Sequence, residues 1–362
     1  MRLDRLWLTD FRNYESLDLS FAPGLTVVQG DNGQGKTSLL EAIGYLAALS
    51  SFRGVPNDAL VRQGCARAVV RAQGQREDRE LLLEAEIPTS GRGRVAVNRQ
   101  PLRRARDLLG ALRTTVFSPD DLALVKAGPS ERRRYIDDVL VALHPRNDAL
   151  RADLDRILRQ RNTLLRQAAA QRADAELLAT LDVWDAKFAE TGDALGAARE
   201  ELLDRLQPEL TKAYAQVSGD RAGSAGEVAA VYDASWRATG LGDALANARV
   251  DELRRGVSLV GPHRDELVLT VGGMPARTHG SQGEQRSLAL ALRLAAHAVV
   301  TTSVGESPVL LLDDVFSELD ETRAAALVTH LPSRQAVLTT AGRVPPGVTA
   351  DLVVRVTDGR VT

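Results

Sequence analysis

Eight consecutive residues, Gly30-Asp31-Asn32-Gly33-Gln34-Gly35-Lys36-Thr37, have the composition and spacing of a phosphate-cradling loop, with Ser38 directly after them. Glycines at these positions let the backbone curl so that successive N–H groups point at a β-phosphate. The Lys36 ammonium can then reach the β- and γ-phosphates, and the Thr37 hydroxyl can ligate Mg²⁺. A second stretch, Val309-Leu310-Leu311-Leu312-Asp313-Asp314, is an apolar run ending in two acids. Asp313 is suited to the Mg²⁺ shell and Asp314 to orienting or deprotonating an attacking water. Lys36, Asp313 and Asp314 are therefore the candidate catalytic residues, and ATP with Mg²⁺ the expected ligands.

These groups need strands and helices to hold them. Leu25-Thr26-Val27-Val28 reads as a buried strand entering the loop, and Leu39, Leu40, Ile43 and Leu46 recur at helical spacing after it. The Val309 run reads as a central parallel strand whose C-terminal end faces the ligand. Between them, Ser281-Gln282-Gly283-Glu284-Gln285 opens a helix expected over 287–300. A helix N-terminus carries partial positive charge and free N–H groups, so Ser281 and Gly283 present a second anion site. The alternative is a plain helix cap, but the position between the two nucleotide motifs favours the anion site.

The chain has 362 residues, enough for two lobes or one domain with a large insertion. Residues 1–119 are strand-rich, with alternation at Leu17, Leu19 and Phe21 and at Leu81, Leu83 and Ala85. Residues 120–250 change period. Leu150, Leu154, Ile157, Leu158 and Leu165 share one helix face, and Leu177, Leu178, Leu181, Trp184 and Phe188 share another, predicting an antiparallel helix pair that reverses near 171–175. Trp184 and Phe188 are expected as core between these helices. Residues 251–362 return to the nucleotide-binding part, and 335–338 is expected as the last strand.

Formal net charge is −2, which by itself argues for neither nucleic acid nor membrane. Any polyanion must meet a local patch. Arginines 92, 94, 99, 103, 104, 106 and 113 are one candidate, against the alternative of a solvated face. In Gly128-Pro129-Ser130-Glu131-Arg132-Arg133-Arg134-Tyr135, Ser130 is expected to cap a helix. Three consecutive arginines span most of a turn, so at least one must point back to the protein or a ligand. The lone Cys65 is expected to be a small buried apolar residue. No run of about 18 apolar residues exists to span a bilayer, and the N-terminus reads as a charged strand rather than a signal peptide, so a cytoplasmic location is expected.

Taken in order, Phe11-Arg12-Asn13-Tyr14, Gly30 to Thr37, Gly128 to Tyr135, Gly261-Pro262-His263-Arg264-Asp265, Ser281 to Arg286 and Leu312 to Asp320 resemble the RecF family of recombination-repair ATPases. The resemblance covers essentially the whole chain. It implies an α/β ABC/SMC-type P-loop ATPase head with an inserted antiparallel helical-arm lobe. It further implies slow DNA-stimulated ATP hydrolysis, an ATP-dependent homodimer on duplex DNA near single-strand gaps, and work with RecR and RecO in loading RecA. Carried over by position, Arg12 lies near the phosphates, Asn32 on the γ-phosphate side, Ser281 on a partner's ATP, and Phe316 to Asp320 at the dimer contact.

Three departures from the ABC pattern stand out. Ser118-Pro119-Asp120 replaces the expected glutamine segment, leaving Asp120 or Asp121 to couple arm and site. Thr339-Thr340 stands in place of a histidine, and Asp314 is one methylene shorter than glutamate. Altered polarising groups each cost on the order of 10²-fold, which predicts slow turnover. Two other classes are weighed beside this one. A transporter ATPase subunit would associate with a membrane permease. A nuclease-coupled head would need a metal cluster, for which 344–362 offers only Asp351 and Asp358.

Overall fold

The computed structural model describes residues 2–76, 79–170, 174–218, 227–319, 321–330, 334–342 and 347–361. Two sheets share the nucleotide-binding half. One is antiparallel, with strands in the order Tyr14–Ser20, Arg2–Phe11, Arg67–Arg76, Arg79–Pro88, Arg94–Val97 and Gln100–Pro101. Its strands alternate as half-buried strands should: Ala68, Val70 and Ala72 face inward while Arg67 and Arg71 face out. Arg71 and Glu84 sit opposite each other across the ladder and pair at 2.8 Å.

The second sheet runs Arg360–Val361, Leu352–Thr357, Leu25–Gln29, Ala336–Thr340, Val309–Asp313 and Thr114–Phe117. All its pairings are parallel except that of the terminal hairpin. Its central strands Leu25–Gln29, Ala336–Thr340 and Val309–Asp313 are buried at consecutive positions because both faces are covered. Val28, Leu311, Val337 and Val354 pack toward the antiparallel sheet and the helix Lys36–Ala48. Val27, Leu310, Leu312 and Leu338 pack on the opposite side with the helical half. Contrary to the expectation from sequence, the strand ending at Thr340 is not the last. Leu352–Thr357 follows it and lies directly beside the strand that enters the loop.

In the helical half, Arg146–Ala170 and Ala175–Ser218 form the paired helices, the second 44 residues long with Pro208 inside it. Most of the reversal expected at 171–175 lies outside the described residues, as does most of 218–226. Phe188 is fully buried as expected, and Trp184 is half-buried with Lys187 over its ring. A guanidinium was not anticipated in this core. Arg161 is fully buried and bonds Asp185, Glu252 and Ser258 at 2.6 to 2.7 Å. The helix Gln282–Val304 is long and apolar enough to cross a membrane by length and composition alone, but it is largely buried against Ala175–Ser218 and the parallel sheet.

Gly128, not Ser130, caps the helix Pro129–Leu143. Pro129 takes the first helical position because its missing N–H costs nothing there, which moves Ser130 inside the helix. The three arginines after it divide as geometry requires. Arg132 is buried and forked onto Glu266 at 2.7 and 2.8 Å, with further bonds to the Leu124 and Ala127 carbonyls. Arg133 donates to the Asp265 carbonyl at 2.7 Å, and Arg134 points outward to Glu131. Two sequence motifs more than a hundred residues apart are docked onto each other by these contacts. Cys65 is half-buried rather than buried and apolar; it sits beside Asp10, whose carboxylate pushes the thiol up.

Candidate nucleotide site

The loop between Leu25–Gln29 and Lys36–Ala48 is forced into shape by its neighbours. A Cβ on Gly30 would come within 2.3 Å of the Val356 carbonyl oxygen, and one on Gly35 within 2.5 Å of the Asn13 amide. Gly35 also has φ +114, a left-handed conformation open to glycine. Asn13 donates to the Gln34 carbonyl at 2.8 Å, the Gly359 N–H donates to the same oxygen at 3.2 Å, and Tyr14 Oη donates to the Gly35 carbonyl at 3.0 Å. The terminal hairpin and the turn at Asn13-Tyr14 therefore hold the loop from two sides. Burial pushes the Tyr14 hydroxyl up, so it stays a neutral donor.

A cleft of about 860 Å³ opens above this loop. Arg12, Asn32, Gly33, Gly35, Lys36, Thr37, Ser38, Asp313 and Asp314 line it, and so the structure gathers both motifs at one place. Gly30, Asp31 and Gln34 shape the loop without lining the cleft. Lys36 is buried and donates to the Gly30 and Asp31 carbonyls at 2.7 and 2.8 Å, bonds that a phosphate oxygen can replace.

At the cleft floor, Thr37 Oγ1 and Thr339 Oγ1 each donate to Asp313 Oδ1 at 2.8 Å. Among the described residues no donor reaches the other carboxylate oxygen, although Asp313 is only 6% exposed. Burial pushes its pKa above the ordinary 3.8, while the Thr339 and Thr37 hydroxyls pull against that. A buried carboxylate with an oxygen to spare, next to a threonine hydroxyl, is the donor set of a hard cation, so Mg²⁺ fits these residues. Asp314 follows with φ +47, and its N–H is held by the Thr339 carbonyl at 3.2 Å and hydroxyl at 3.0 Å.

Arg12 lines the cleft, yet its guanidinium is engaged elsewhere: it forks onto the fully buried Glu41 at 2.7 and 2.8 Å and donates to the Ala59 carbonyl. Its first contact is with the loop helix. Ser281 and Gly283 do not line the cleft. Ser281 is exposed and caps Gln282–Val304, a helix that begins earlier than expected, in a reciprocal arrangement with Glu284.

Sequence reasoning missed three contributors. Thr339, recognised only as a missing histidine, fixes both acids because its strand ends beside theirs. Arg53 also lines the cleft, and its charge acts on Asp313. Arg293 of Gln282–Val304 donates two bonds to Asp121 at 3.0 and 2.7 Å, so of the two acids offered for coupling it is Asp121 that is tied to that helix. Asp351, weighed for a nuclease centre, accepts from the Leu25 N–H at 2.7 Å and is structural. Among the described residues no group of three or more His, Cys, Asp or Glu is arranged to hold a metal ion.

Comparison with known proteins agrees with this geometry. The family model described as RecF/RecN/SMC N terminal domain matches residues 2–357. The DNA replication and repair protein RecF of Frankia alni is 48% identical, over 94% of this chain and 93% of its own. The chain belongs to the RecF family. Its counterpart from Kineococcus radiotolerans is 46% identical over 97% of this chain and 95% of its own. A solved structure titled as the recombination mediator protein RecF-ATP in the RecFOR pathway superposes with a TM-score of 0.90 at 29% identity, covering 100% of this chain and 97% of that one. The Smc head domain of Pyrococcus furiosus shares the fold with a TM-score of 0.57 at 17% identity, covering 99% of this chain and 94% of that one. The chain thus has the fold of an ABC/SMC-type P-loop ATPase head, as its motifs implied.

Proposed function

We propose that this chain is an ATP-driven switch of recombinational repair and replication restart: ATP pairs two copies around duplex DNA, and slow, DNA-stimulated hydrolysis separates them. The RecFOR pathway named for its structural neighbour supports work with RecO and RecR in promoting RecA loading at gaps. Residues 1–119 and 251–362 make up the head in this reading, and 120–250 the arm.

One observation carries the pairing. Both motifs of the cleft are complete within one chain, whereas the Ser281 helix end, built to receive an anion, is exposed and lies off that cleft. A second copy is the partner that can use it. Within each cleft, the loop N–H groups and Lys36 grip the phosphates, and Thr37 and Asp313 would hold Mg²⁺. When bound, the metal neutralises charge developing on the phosphate oxygens. Asp314, turned by its left-handed backbone, orients the attacking water. Its short side chain is the reason turnover is slow.

DNA contact falls to arginine. Arg92, Arg94, Arg99, Arg103 and Arg104 are exposed and form no ion pair among the described residues, whereas Arg113 is tied to the Ala142 and Gly110 carbonyls. Phosphate contacts of this kind bind without sequence readout and weaken steeply with salt. The test is DNA binding at two salt concentrations with and without ATP, using wild type and Ser281→Arg. Salt-sensitive, ATP-dependent binding that Ser281→Arg abolishes supports the reading; normal ATP-dependent pairing of Ser281→Arg overturns it.

A further inference from the structure

A second cavity, of about 260 Å³, lies between the loop helix Lys36–Ala48, the strand Thr114–Phe117 and the helices Pro129–Leu143 and Gln282–Val304, and it shares no lining residue with the nucleotide cleft. Thr114–Phe117 is the outermost strand of the parallel sheet. Its one neighbour takes the groups of alternate residues: the Val309 N–H donates to the Arg113 carbonyl at 2.9 Å, and the register turns Thr115 and Phe117 toward the same neighbour. The N–H and C=O groups of Thr114 and Val116 therefore point the other way, where both residues line the cavity. Among the described residues no hydrogen bond reaches these four groups. An unpaired strand edge is a template for another strand, and folds commonly cover one with a helix or loop; here a cavity runs along it.

The walls fit an extended chain. Val116 packs with the apolar cluster around the loop helix and Phe117 with that of the helical half, so the side chains of a strand laid beside this edge would fall alternately to the two sides. On the loop-helix side, Gly44, Ala47 and Ala48 leave room for apolar side chains. On the other side, Asp138 and Asp148 share Arg151, at 3.2 and 3.1 Å. Asp138 opens into the concavity with 56% of its side chain exposed, and the protein around it pushes its carboxyl up. Asp120 also lines the cavity, is exposed, and forms no ion pair among the described residues. Five carboxylates and four guanidiniums line the space, and one of the four, Arg113, is tied to the Ala142 and Gly110 carbonyls, so the balance favours an incoming positive charge. The room is below the roughly 300–1,000 Å³ of small-molecule sites, which suits a few side chains and not a cofactor.

We propose that this cavity is a docking site for an extended segment of a partner protein, in which apolar and basic residues alternate, added as a further strand beside Thr114–Phe117. The backbone of the segment pairs with Thr114 and Val116. Its apolar residues fall against the loop helix, and its basic ones meet Asp138 and Asp120. Donors and acceptors alternating at strand spacing are matched by a peptide backbone and by neither a lipid nor a nucleic acid. The site stands apart from the nucleotide cleft and does not depend on two copies joining. With only two residues offering free groups, an isolated five-residue peptide should bind with a dissociation constant on the order of 0.1–1 mM.

The probe is acetyl-Val-Lys-Val-Lys-Val-amide, titrated into the full chain and followed by heteronuclear NMR. Beside it stand the counterpart with glutamate in place of lysine and two forms N-methylated at alternate residues in opposite phases. The expected result is saturable movement of the Thr114 and Val116 amide signals, with binding about tenfold weaker for at least one methylated phase. The glutamate peptide should bind more weakly, and Asp138→Asn should weaken the lysine peptide about three- to fivefold, as loss of a charge pair near the surface does. Ala142→Phe, which fills the cavity, should abolish binding, with urea unfolding to establish that each variant is folded; Asp138→Asn alters an exposed side chain and keeps the test open if Ala142→Phe does not fold. No movement of these signals by the lysine peptide at about 5 mM overturns the inference, since a site of the expected affinity would be largely filled. Equal binding of both methylated forms and the parent also overturns it, leaving an apolar groove without strand pairing. Equal binding of the glutamate and lysine peptides, or of the lysine peptide by Asp138→Asn and wild type, overturns the basic character assigned to the partner.

Discussion

Thr339→Val isolates the contact on which the cation site depends. The substitution preserves shape at a fully buried position and deletes one hydroxyl, the one that donates to Asp313 Oδ1 at 2.8 Å. The Asp314 turn keeps its second anchor, the Thr339 carbonyl at 3.2 Å. Two effects then compete. Losing a donor makes Asp313 more basic, which strengthens its hold on a cation, but it also frees the carboxylate to rotate. Removal of groups that orient metal ligands typically costs about 10- to 100-fold in metal affinity, so orientation wins. Nucleotide binding followed by calorimetry should weaken by about that factor when Mg²⁺ is present. In chelator it should change less than about threefold, since Lys36 and the loop N–H groups hold the phosphates without the metal. The acid limit should move as well. Asp313 already takes up its proton at a pH above 3.8 because it is buried, and removing the hydroxyl raises that point further. Metal-dependent binding is therefore present at neutral pH and lost on acidification, earlier in the variant than in the wild type. Equal loss with and without Mg²⁺, or an unmoved acid limb, would refute the reasoning.

Other outcomes follow from the same contacts. Lys36→Met should abolish nucleotide binding by calorimetry while the chain stays folded, because the lysine bonds only loop carbonyls. Arg132→Ala strands Glu266 and two carbonyls in a largely buried site and should cost about 3–5 kcal/mol in urea unfolding. His263, pushed down to about 4 by burial, is held neutral in the fold but gains a proton near 6.5 when unfolded. Its stabilisation is present above that value and lost as pH falls toward 4, by about 2 kcal/mol at about pH 5. His263→Gln should flatten this loss between pH 7.5 and 5 by about that amount, measured in urea; an unchanged slope would exclude it as the source.

The legible parts of this molecule were those whose chemistry is local. A glycine-rich loop between a strand and a helix, and an apolar strand ending in two acids, declare themselves because backbone geometry and ligand demand the same residues over a short span. The long helices were legible through their period. What stayed hidden depends on contacts between distant residues. Arg12 was placed near the phosphates by the family resemblance and does line the cleft, but nothing nearby in sequence announces that Glu41, on the loop helix, takes its guanidinium. Thr339 reads as a lost histidine until its strand is seen paired with that of Asp313. The strand Leu352–Thr357 was missed although it lies against the loop strand, since Arg355 interrupts its apolar run. Ser130 was misread as a cap because proline's preference for the first helical turn outweighs a nearby hydroxyl.

The central claim is that ATP joins two copies, gripped by the Lys36 loop of one and sealed by the Ser281 helix end of the other. Light scattering of the full chain with ATP and duplex DNA measures it directly. A doubling of mass with ATP that is absent without nucleotide and absent in Ser281→Arg is the predicted result. A protein that binds ATP yet remains monomeric beside duplex DNA would contradict it.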